Sequence, residues 1–208
     1  MRIGGRIYAA LYDRMLGGIE EAGLAARRGE LLAAARGRVL EIGAGTGANL
    51  PHYGDGVEAL TITEPDESMA RRLEQRVREL DREVSVVRAP AERLPFGDAS
   101  FDVVVSTLVL CTVPDQGDAL AELRRVLVPG GRVLFIEHVR ADELRLARWQ
   151  HRLNGVNRVF GRGCNCNRAT LDAIDAAGFT LGAVEHSELK KAQPLVRPLV
   201  VGSAVAPD

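Results

Sequence analysis

The sequence lacks long hydrophobic runs and contains very little cysteine. Only 3 of its 208 residues are cysteines, which excludes a scaffold held together by disulfides. The longest apolar stretch, residues 103–113, is interrupted by serine and threonine and is too short to span a bilayer. The first five residues lack the apolar run of a secretory signal. We therefore expect a soluble, cytoplasmic protein without a stable membrane anchor.

The sequence also has no excess of charge of either sign. Lys and Arg total 27 and Asp and Glu total 28, so the formal net charge is -1. This balance argues against a protein whose main task is to coat nucleic acid or an anionic membrane. With 46% apolar residues, a chain of this length can bury one core of ordinary size. We expect a single domain over residues 1–208.

Short apolar runs alternate along the chain with longer segments of helical periodicity. Seven runs have the length and composition of strands: residues 38–42, 59–63, 84–87, 101–105 and 132–136, then runs near 179–186 and 196–205. Strands that alternate with helices predict an α/β fold with a mainly parallel sheet. A ligand is expected at the carboxyl ends of the strands, beside the first strand.

Helical spacing is clearest between and after these runs. Apolar residues recur three and four apart over residues 69–80 and again from residue 120 to a stop at Pro129. A longer amphipathic helix is predicted from the spacing of Leu146, Trp149, Leu153, Val156 and Phe160. Asn167 is positioned to cap one more helix, which is expected to end near Gly178.

The glycine-rich segment EIGAGTGA, residues 41–48, follows the first strand and opens a helix. Alone it is ambiguous between a dinucleotide fingerprint, with Glu64 at the distance of a ribose-binding carboxylate, and a tight turn without a ligand. Glu41 helps to decide, because its carboxylate would repel a pyrophosphate and favour a positive ammonium group. Glu64, when ionised, can accept hydrogen bonds from both ribose hydroxyls. Together the two carboxylates favour S-adenosylmethionine.

A set of ordered motifs extends this interpretation: VLEIGAGTG at residues 39–47, Glu64, AERLPF at 91–96, SFDVV at 100–104 and LVPGG at 127–131. In order and spacing the set is similar to the class I S-adenosylmethionine-dependent methyltransferases, especially the subgroup of quinone-biosynthesis enzymes. The resemblance covers roughly residues 35–140. It implies a Rossmann-like, doubly wound sheet of seven strands, mainly parallel with an antiparallel last strand, and S-adenosylmethionine as the cofactor.

The resemblance also assigns roles to residues and segments. It implies a helical cap over residues 1–35, a cofactor-binding half over 36–140 and an acceptor side over 141–208. The expected cofactor-binding residues are Glu41, Gly43, Ala44, Gly45, Asn49, Glu64, Pro65, Met69, Ala91, Glu92 and Ser106.

Within that set the family places the first glycines at the methionine end, Glu64 on the ribose and Ser106 beside the sulfonium. Pro65, Met69 and the backbone N–H of Ala91 are placed near the adenine.

One departure from the family concerns the adenine. Pro90 stands where the family often has an aspartate that accepts from the adenine amino group, so adenine recognition is expected to rely more on the backbone and packing, or on Glu92. Plainer interpretations stay open for three of these residues. Met69 is equally suited to a helix core, Glu92 to a solvated loop or a helix cap, and Ser106 to the end of a strand.

Motifs in the second half bear on the methyl acceptor: TLVLCTV at residues 107–113, EHV at 137–139, GCN at 163–165 and Arg168. They resemble the thiol S-methyltransferases, which act on small thiols and hydrogen sulfide, and more weakly the bacterial phospholipid N-methyltransferases. We expect methyl transfer to a small, fairly apolar acceptor, with a thiol as the leading candidate. The alternatives are N-, O- or C-methylation of a phospholipid or small molecule, a nicotinamide-dependent oxidoreductase, and a non-catalytic cofactor-binding domain.

Two residues are candidates for catalysis. His138, at the end of the fifth strand, is suited to act as a general base, and a structural histidine that lines the cleft is the equal alternative. Tyr12 lies in an N-terminal segment that resembles the helix folding over the cofactor in this family, although simple packing is somewhat favoured.

The cysteines supply a weaker signal. Cys164 and Cys166 form a Cys-x-Cys pair with no second cluster, and Cys111 lies far away in the chain. A structural zinc site needs four ligands, so we expect no metal and assign these residues to packing. Arsenic chemistry with three thiols is the less favoured alternative.

Overall fold

The computed structural model describes residues 17–161 and 163–208. Seven strands alternate with five α-helices over this range. The strands are β1 Gly37–Ile42, β2 Val57–Thr63, β3 Val84–Val87, β4 Phe101–Thr107, β5 Leu127–His138, β6 Thr180–Glu188 and β7 Pro198–Val205. The helices are α1 Ala25–Leu32, α2 Glu67–Arg78, α3 Gln116–Val126, α4 Leu144–Phe160 and α5 Thr170–Ala176. A π-helical turn, Glu20–Leu24, and two 3₁₀ turns, Leu50–His52 and Pro194–Val196, complete the elements.

One sheet contains all seven strands, in the order β3-β2-β1-β4-β5-β7-β6. Strands β1 to β5 pair in parallel, whereas β7 is antiparallel to both β5 and β6. The predicted fold class is therefore confirmed, including the antiparallel last strand. Because the chain order reverses beside β1, the carboxyl ends of β1, β2, β4 and β5 meet at one edge of the sheet, where a ligand site is expected.

Helices cover both faces of the sheet, so its central strands are buried on both sides. Val104 and Phe135 point to a core shared with α3 and α5, and their neighbours Val105 and Leu134 point to a second core with α1 and α2. This explains why the strands read as continuous apolar runs and not as alternating ones.

Helix ends follow the local sequence in one case and depart from the prediction in two. Asp66 caps α2 by accepting the N–H groups of Ser68 and Met69. Helix α3 ends at Val126, before the predicted stop at Pro129, because β5 already begins at Leu127. The predicted cap at Asn167 is wrong, because α5 begins at Thr170 and the side chain of Asn167 lies 3.5 Å from His151 instead.

Tertiary contacts explain the delayed start of α5. The backbone N–H of Asn165 donates to the carbonyl of Cys111, and the Arg168 guanidinium donates to the carbonyls of Leu110 and Val113. These bonds hold the residues before α5 against the turn that follows β4.

Helix α4 forms where the periodicity predicts it, but its apolar stripe does not face the core. Trp149 is 47% exposed and Val156 is 56% exposed, whereas Gln150 is fully buried. The Gln150 amide donates to the carbonyls of Val139 and Leu195, and its oxygen accepts the N–H of Ala141. The helix is therefore oriented by a buried amide that satisfies three backbone groups.

No helix in the described ranges has the length and apolar character needed to cross a membrane.

Replacing Gln150 with Leu should destabilise the fold. The change removes three hydrogen bonds to buried backbone groups and leaves those groups unsatisfied, which we expect to lower the free energy of unfolding by roughly 2–4 kcal/mol. Urea denaturation measures the effect, with the neighbouring exposed substitution Trp149→Leu as the matched control. Equal stabilities of the two variants would contradict the assignment of Gln150 as the buried anchor of α4.

Candidate active site

The glycine loop after β1 has a backbone that only glycine adopts easily. Gly43, Gly45 and Gly47 have φ angles of +55°, +59° and +88°, in the left-handed region. A Cβ at Gly43 would lie 2.8 Å from Cγ2 of Val109, whereas the space beside Gly45 contains no described atom within 4 Å. The loop therefore packs tightly on one side and presents bare backbone on the other.

A cavity of about 350 Å³ opens beside this loop, at the carboxyl edge of the sheet. Seven predicted cofactor residues line it: Gly43, Gly45, Glu64, Pro65, Met69, Ala91 and Glu92. Its opposite wall comes from the turn after β4 and from the end of α4, with Leu108, Val109, Thr112, Val113, Pro114 and Gly161. One continuous space thus joins the glycine loop to the second half of the chain.

Glu64 lies at the end of β2 and is largely buried in this cavity. Its Oε2 accepts the N–H of Gly45 at 2.8 Å, and its Oε1 accepts the N–H of Asp66 at 2.8 Å. Burial raises the pKa of the Glu64 carboxyl, and the two backbone hydrogen bonds partly oppose that rise. Each carboxylate oxygen keeps a further lone pair that can accept a ligand hydroxyl.

Glu92 lines the cavity with a carboxylate oxygen that no described donor satisfies. Its Oε1 is buried and has no hydrogen-bond partner among the described residues. Pro90 also lines the cavity and offers no side-chain acceptor. A buried oxygen without a donor costs free energy, which a ligand N–H would recover.

Glu41 and Asn49 do not line the cavity but lie behind the glycine loop. Glu41 is 2% exposed; its Oε1 accepts from the Asn49 amide at 3.0 Å and its Oε2 accepts from the Tyr53 hydroxyl at 2.7 Å. Burial raises the pKa of Glu41, and the hydrogen bond from Tyr53 opposes the rise. Both carboxylate oxygens are therefore engaged by protein groups.

Arg28, from α1, extends this network and had no signal in the sequence. It donates to Asn49 at 2.7 Å and pairs with Glu20 at 3.0 Å, while it is 4% exposed as a residue. The Asn49 amide also donates to the Thr107 hydroxyl at 2.7 Å, at the end of β4. The network thus fixes α1, the glycine loop and β4 to one another.

Ser106 is also fully buried, and its hydroxyl is hydrogen-bonded to a carboxylate of the neighbouring strand β5. The Ser106 hydroxyl donates to Glu137 Oε1 at 2.7 Å. The N–H groups of Val109 and Leu110 donate to the same oxygen at 3.0 Å, and that of Cys111 donates to Oε2 at 3.2 Å. Burial raises the pKa of Glu137, and these four hydrogen bonds oppose the rise. Glu137 therefore shapes the turn that forms the acceptor-side wall.

Sequence reasoning assigned no individual role to Glu137. The available signal was its position, since it stands in the EHV motif at the carboxyl end of a strand buried on both faces. A carboxylate in such a place needs several donors.

His138 follows Glu137, and one of its ring nitrogens lies close to two cysteine sulfurs. Its Nδ1 lies 3.5 Å from the Cys164 Sγ and 3.7 Å from the Cys111 Sγ, and its Nε2 is buried without a hydrogen-bond partner among the residues described. The interaction between the neighbouring Cys111 and Cys164 thiols holds the pKa of Cys164 well below its usual range and that of Cys111 above it. Cys166 does not belong to this group and lies near Asn154.

The remaining predicted residues divide between the glycine loop and the N-terminus. Ala44 is buried and donates its N–H to the Thr63 carbonyl, which ties the loop to β2. Tyr12 lies outside the described residues, so its role stays a prediction.

Comparisons with known proteins agree with this geometry. Residues 40–135 match the family described as Methyltransferase domain. Human thiol S-methyltransferase TMT1A is 37% identical over 171 residues, which cover 80% of this chain and 70% of the human protein. Phosphatidylethanolamine N-methyltransferase of Cereibacter sphaeroides is 34% identical over 155 residues, covering 73% and 75%.

Solved structures share the fold. An S-adenosylmethionine-dependent methyltransferase of Thermotoga maritima superposes with a TM-score of 0.71 at 24% identity, covering 96% of both chains. Together with the sheet order, the glycine loop and the sequence relatives, this defines the class. The chain belongs to the class I S-adenosylmethionine-dependent methyltransferases. It is an enzyme of that class, and the predicted resemblance is confirmed.

The buried carboxyl of Glu41 should make stability depend on pH. Because its folded pKa is raised, the folded chain binds more protons than the unfolded chain above the usual pKa, and stability falls as the pH rises through this window. In Glu41→Gln this loss is absent, so the stability of the variant relative to the parent should increase as the pH rises from the usual pKa of a glutamate, about 4, towards neutral pH. Urea denaturation across that range tests it. The exposed Glu58→Gln change is the control, and a constant difference between Glu41→Gln and the parent would contradict the prediction.

Proposed function

We propose that this enzyme transfers the methyl group of S-adenosylmethionine to the sulfur of a small thiol. The observation that carries the proposal is the 37% identity, over 80% of the chain, to a human protein named as a thiol S-methyltransferase. The shape and lining of the cavity are consistent with this acceptor.

The residues of the cavity fit the cofactor. Glu64 offers free lone pairs to the ribose, the bare backbone at Gly45 permits close approach, and the unpartnered Glu92 Oε1 suits the adenine amino group. Pro65 and Met69 supply apolar surface in the same cavity. When bound, S-adenosylmethionine supplies a methyl group activated by a sulfonium.

The acceptor-side wall favours a small and fairly apolar nucleophile. Leu108, Val109, Val113 and Pro114 line it, and the carboxylates of the cavity all come from the opposite, cofactor-binding side. Such a wall excludes water and positions a neutral acceptor, which are the main contributions a protein makes to methyl displacement.

Thiols also place the smallest demand on proton removal. A thiol with a pKa of about 8.5 loses its proton far more readily at neutral pH than an alcohol does. His138 is the proposed general base on this side of the molecule, and the sulfurs of Cys164 and Cys111 lie 3.5 Å and 3.7 Å from its Nδ1.

A second candidate rests on the bacterial relative. The Cereibacter sphaeroides protein, 34% identical over 73% of this chain, is named as acting on phosphatidylethanolamine. A primary amine of that kind is almost entirely protonated at neutral pH and must lose a proton before it can attack the methyl group. The two candidates therefore differ in acceptor atom, in size and in the need for a base.

A methyl-transfer assay with labelled S-adenosylmethionine separates them. We expect label in small alkyl thiols and hydrogen sulfide, and none in phenols, carboxylic acids or phosphatidylethanolamine vesicles. His138→Ala should lower the rate on the best thiol by on the order of 10²-fold or more, with cofactor binding retained. Transfer to phosphatidylethanolamine alone would overturn the thiol proposal in favour of the second candidate.

Cofactor contacts are tested by calorimetric titration with S-adenosylhomocysteine. Glu64→Ala should weaken binding at least about tenfold, because it removes a charged acceptor, and Glu64→Gln should weaken it less. Circular dichroism checks that both variants are folded. Unchanged affinity in Glu64→Ala would contradict the proposed ribose contact.

The contact of Glu92 with adenine has a sharper test. Glu92→Ala should weaken S-adenosylhomocysteine binding about tenfold but should not weaken binding of the inosine analogue, in which a carbonyl oxygen replaces the amino donor. The same substitution at the exposed Glu58 is the control. Equal losses for both ligands would show that Glu92 does not read the amino group.

A further inference from the structure

Three side chains that are remote in sequence meet beside the acceptor-side wall. Cys111 comes from the turn after β4, His138 from the end of β5 and Cys164 from the loop before α5. Their sulfur and nitrogen atoms all lie within 4.8 Å of one another. Two of their neighbours in sequence line the cavity: Thr112, which follows Cys111, and Gly161, which is three residues before Cys164.

Backbone hydrogen bonds hold the two cysteines in place. The N–H of Cys111 donates to Glu137, and the carbonyl of Cys111 accepts the N–H of Asn165 at 2.7 Å. The carbonyl of Cys164 accepts the Asn157 amide at 2.8 Å. The three groups are therefore brought together by the fold and not by the flexibility of their side chains.

The donor set and its spacing suit zinc. Two thiolates and one imidazole are ligands that zinc prefers, with Zn–S near 2.3 Å and Zn–N near 2.1 Å. Tetrahedral angles then place sulfur and nitrogen about 3.6 Å apart. The observed distances from His138 Nδ1 are 3.5 Å to Cys164 and 3.7 Å to Cys111.

The ligand count also matches one kind of zinc site. Within the described part of the chain no fourth His, Cys, Asp or Glu joins the cluster. Structural zinc sites have four protein ligands, whereas catalytic sites have three and leave one position open. The cluster thus differs from the Cys-x-Cys arrangement considered from the sequence, because Cys166 is not part of it and His138 is.

We propose that Cys111, Cys164 and Nδ1 of His138 bind one zinc ion, and that its open position takes the sulfur of the methyl acceptor. The second half of this statement rests on the proposed thiol methylation. In this arrangement His138 is a metal ligand, which replaces the role of a free general base.

The chemistry balances without an oxidant or reductant. The acceptor thiol replaces water on zinc and releases its proton to solvent, because coordination deprotonates a thiol. The bound sulfur then forms a bond to the methyl carbon while the bond from that carbon to the sulfonium sulfur breaks. The products are a neutral thioether, which is a weak zinc ligand and leaves, and S-adenosylhomocysteine.

Cobalt substitution tests the metal site directly. The full chain, stripped of metal with a chelator under reducing conditions, should bind one Co²⁺ and develop the visible and thiolate-to-cobalt absorption of a tetrahedral site. Cys111→Ser and Cys164→Ser should each lose most of the thiolate absorption, and His138→Gln should alter the visible bands. Cys166→Ser is the matched control, because Cys166 is buried nearby but outside the cluster.

Clear outcomes overturn the metal site. Absence of cobalt absorption in the folded parent, or an equal loss in Cys166→Ser, would exclude it. A Cys111–Cys164 disulfide in protein prepared with reductant, seen as the loss of two hydrogen atoms in the intact mass, would do the same. X-ray absorption spectroscopy at the zinc edge of the parent protein adds a measurement that needs no variant. It should show two sulfur ligands and one nitrogen ligand from the protein.

Binding of the acceptor sulfur to the metal, the second part of the proposal, has its own measurement. Adding ethanethiol to the cobalt form with S-adenosylhomocysteine should increase the thiolate absorption, and an unchanged spectrum would overturn it. If metal-free protein methylates thiols as fast as the zinc form, the zinc proposal fails while the proposed function stands. If cobalt binds but no thiol is methylated, the proposed function fails while the metal site stands.

Discussion

The buried carboxylate of Glu137 is the interaction on which the acceptor side depends. At the end of β5 it accepts hydrogen bonds from the Ser106 hydroxyl and from three successive backbone N–H groups of the turn after β4. Each of these buried donors would cost free energy if it had no acceptor. The turn that it shapes carries Val109 to the glycine loop and Cys111 to His138. One side chain thus sets the position of both the acceptor-side wall and the group formed by Cys111, His138 and Cys164.

A second buried carboxylate forms a comparable network at the end of β1, on the other side of β4. Glu41 binds Asn49 and Tyr53, and Asn49 in turn connects to Arg28 and Thr107. The two networks meet at β4, which contributes Thr107 to one and Ser106 to the other. Both are polar groups enclosed by apolar strands, so partial disruption would cost more than the loss of a single hydrogen bond.

The sequence predicts the sheet well and the site only in part. Runs such as residues 101–105 predict buried strands because period and composition are local properties, and the glycines at 43 and 45 mark a special backbone for the same reason. Arg28 and Asn49 are 21 residues apart, and His138 is 26 residues from Cys164. Such contacts depend on strand order and register, which no local pattern encodes. Helix α4 shows the converse, since its apolar spacing predicts a helix but not the face that Gln150 turns inward.

The contact between Gly43 and Val109 has a consequence for how acceptor preference can diverge. The glycine loop and the acceptor-side turn touch so closely that a Cβ at position 43 would lie 2.8 Å from the valine. A larger residue at 109 would therefore push on the cofactor loop as well as on the acceptor. Thr112 lines the same wall, is only partly buried and is not among the atoms nearest to that loop glycine, so it can change size while cofactor geometry is preserved. Substrate range in such an enzyme is expected to drift at position 112 and to stay fixed at 109.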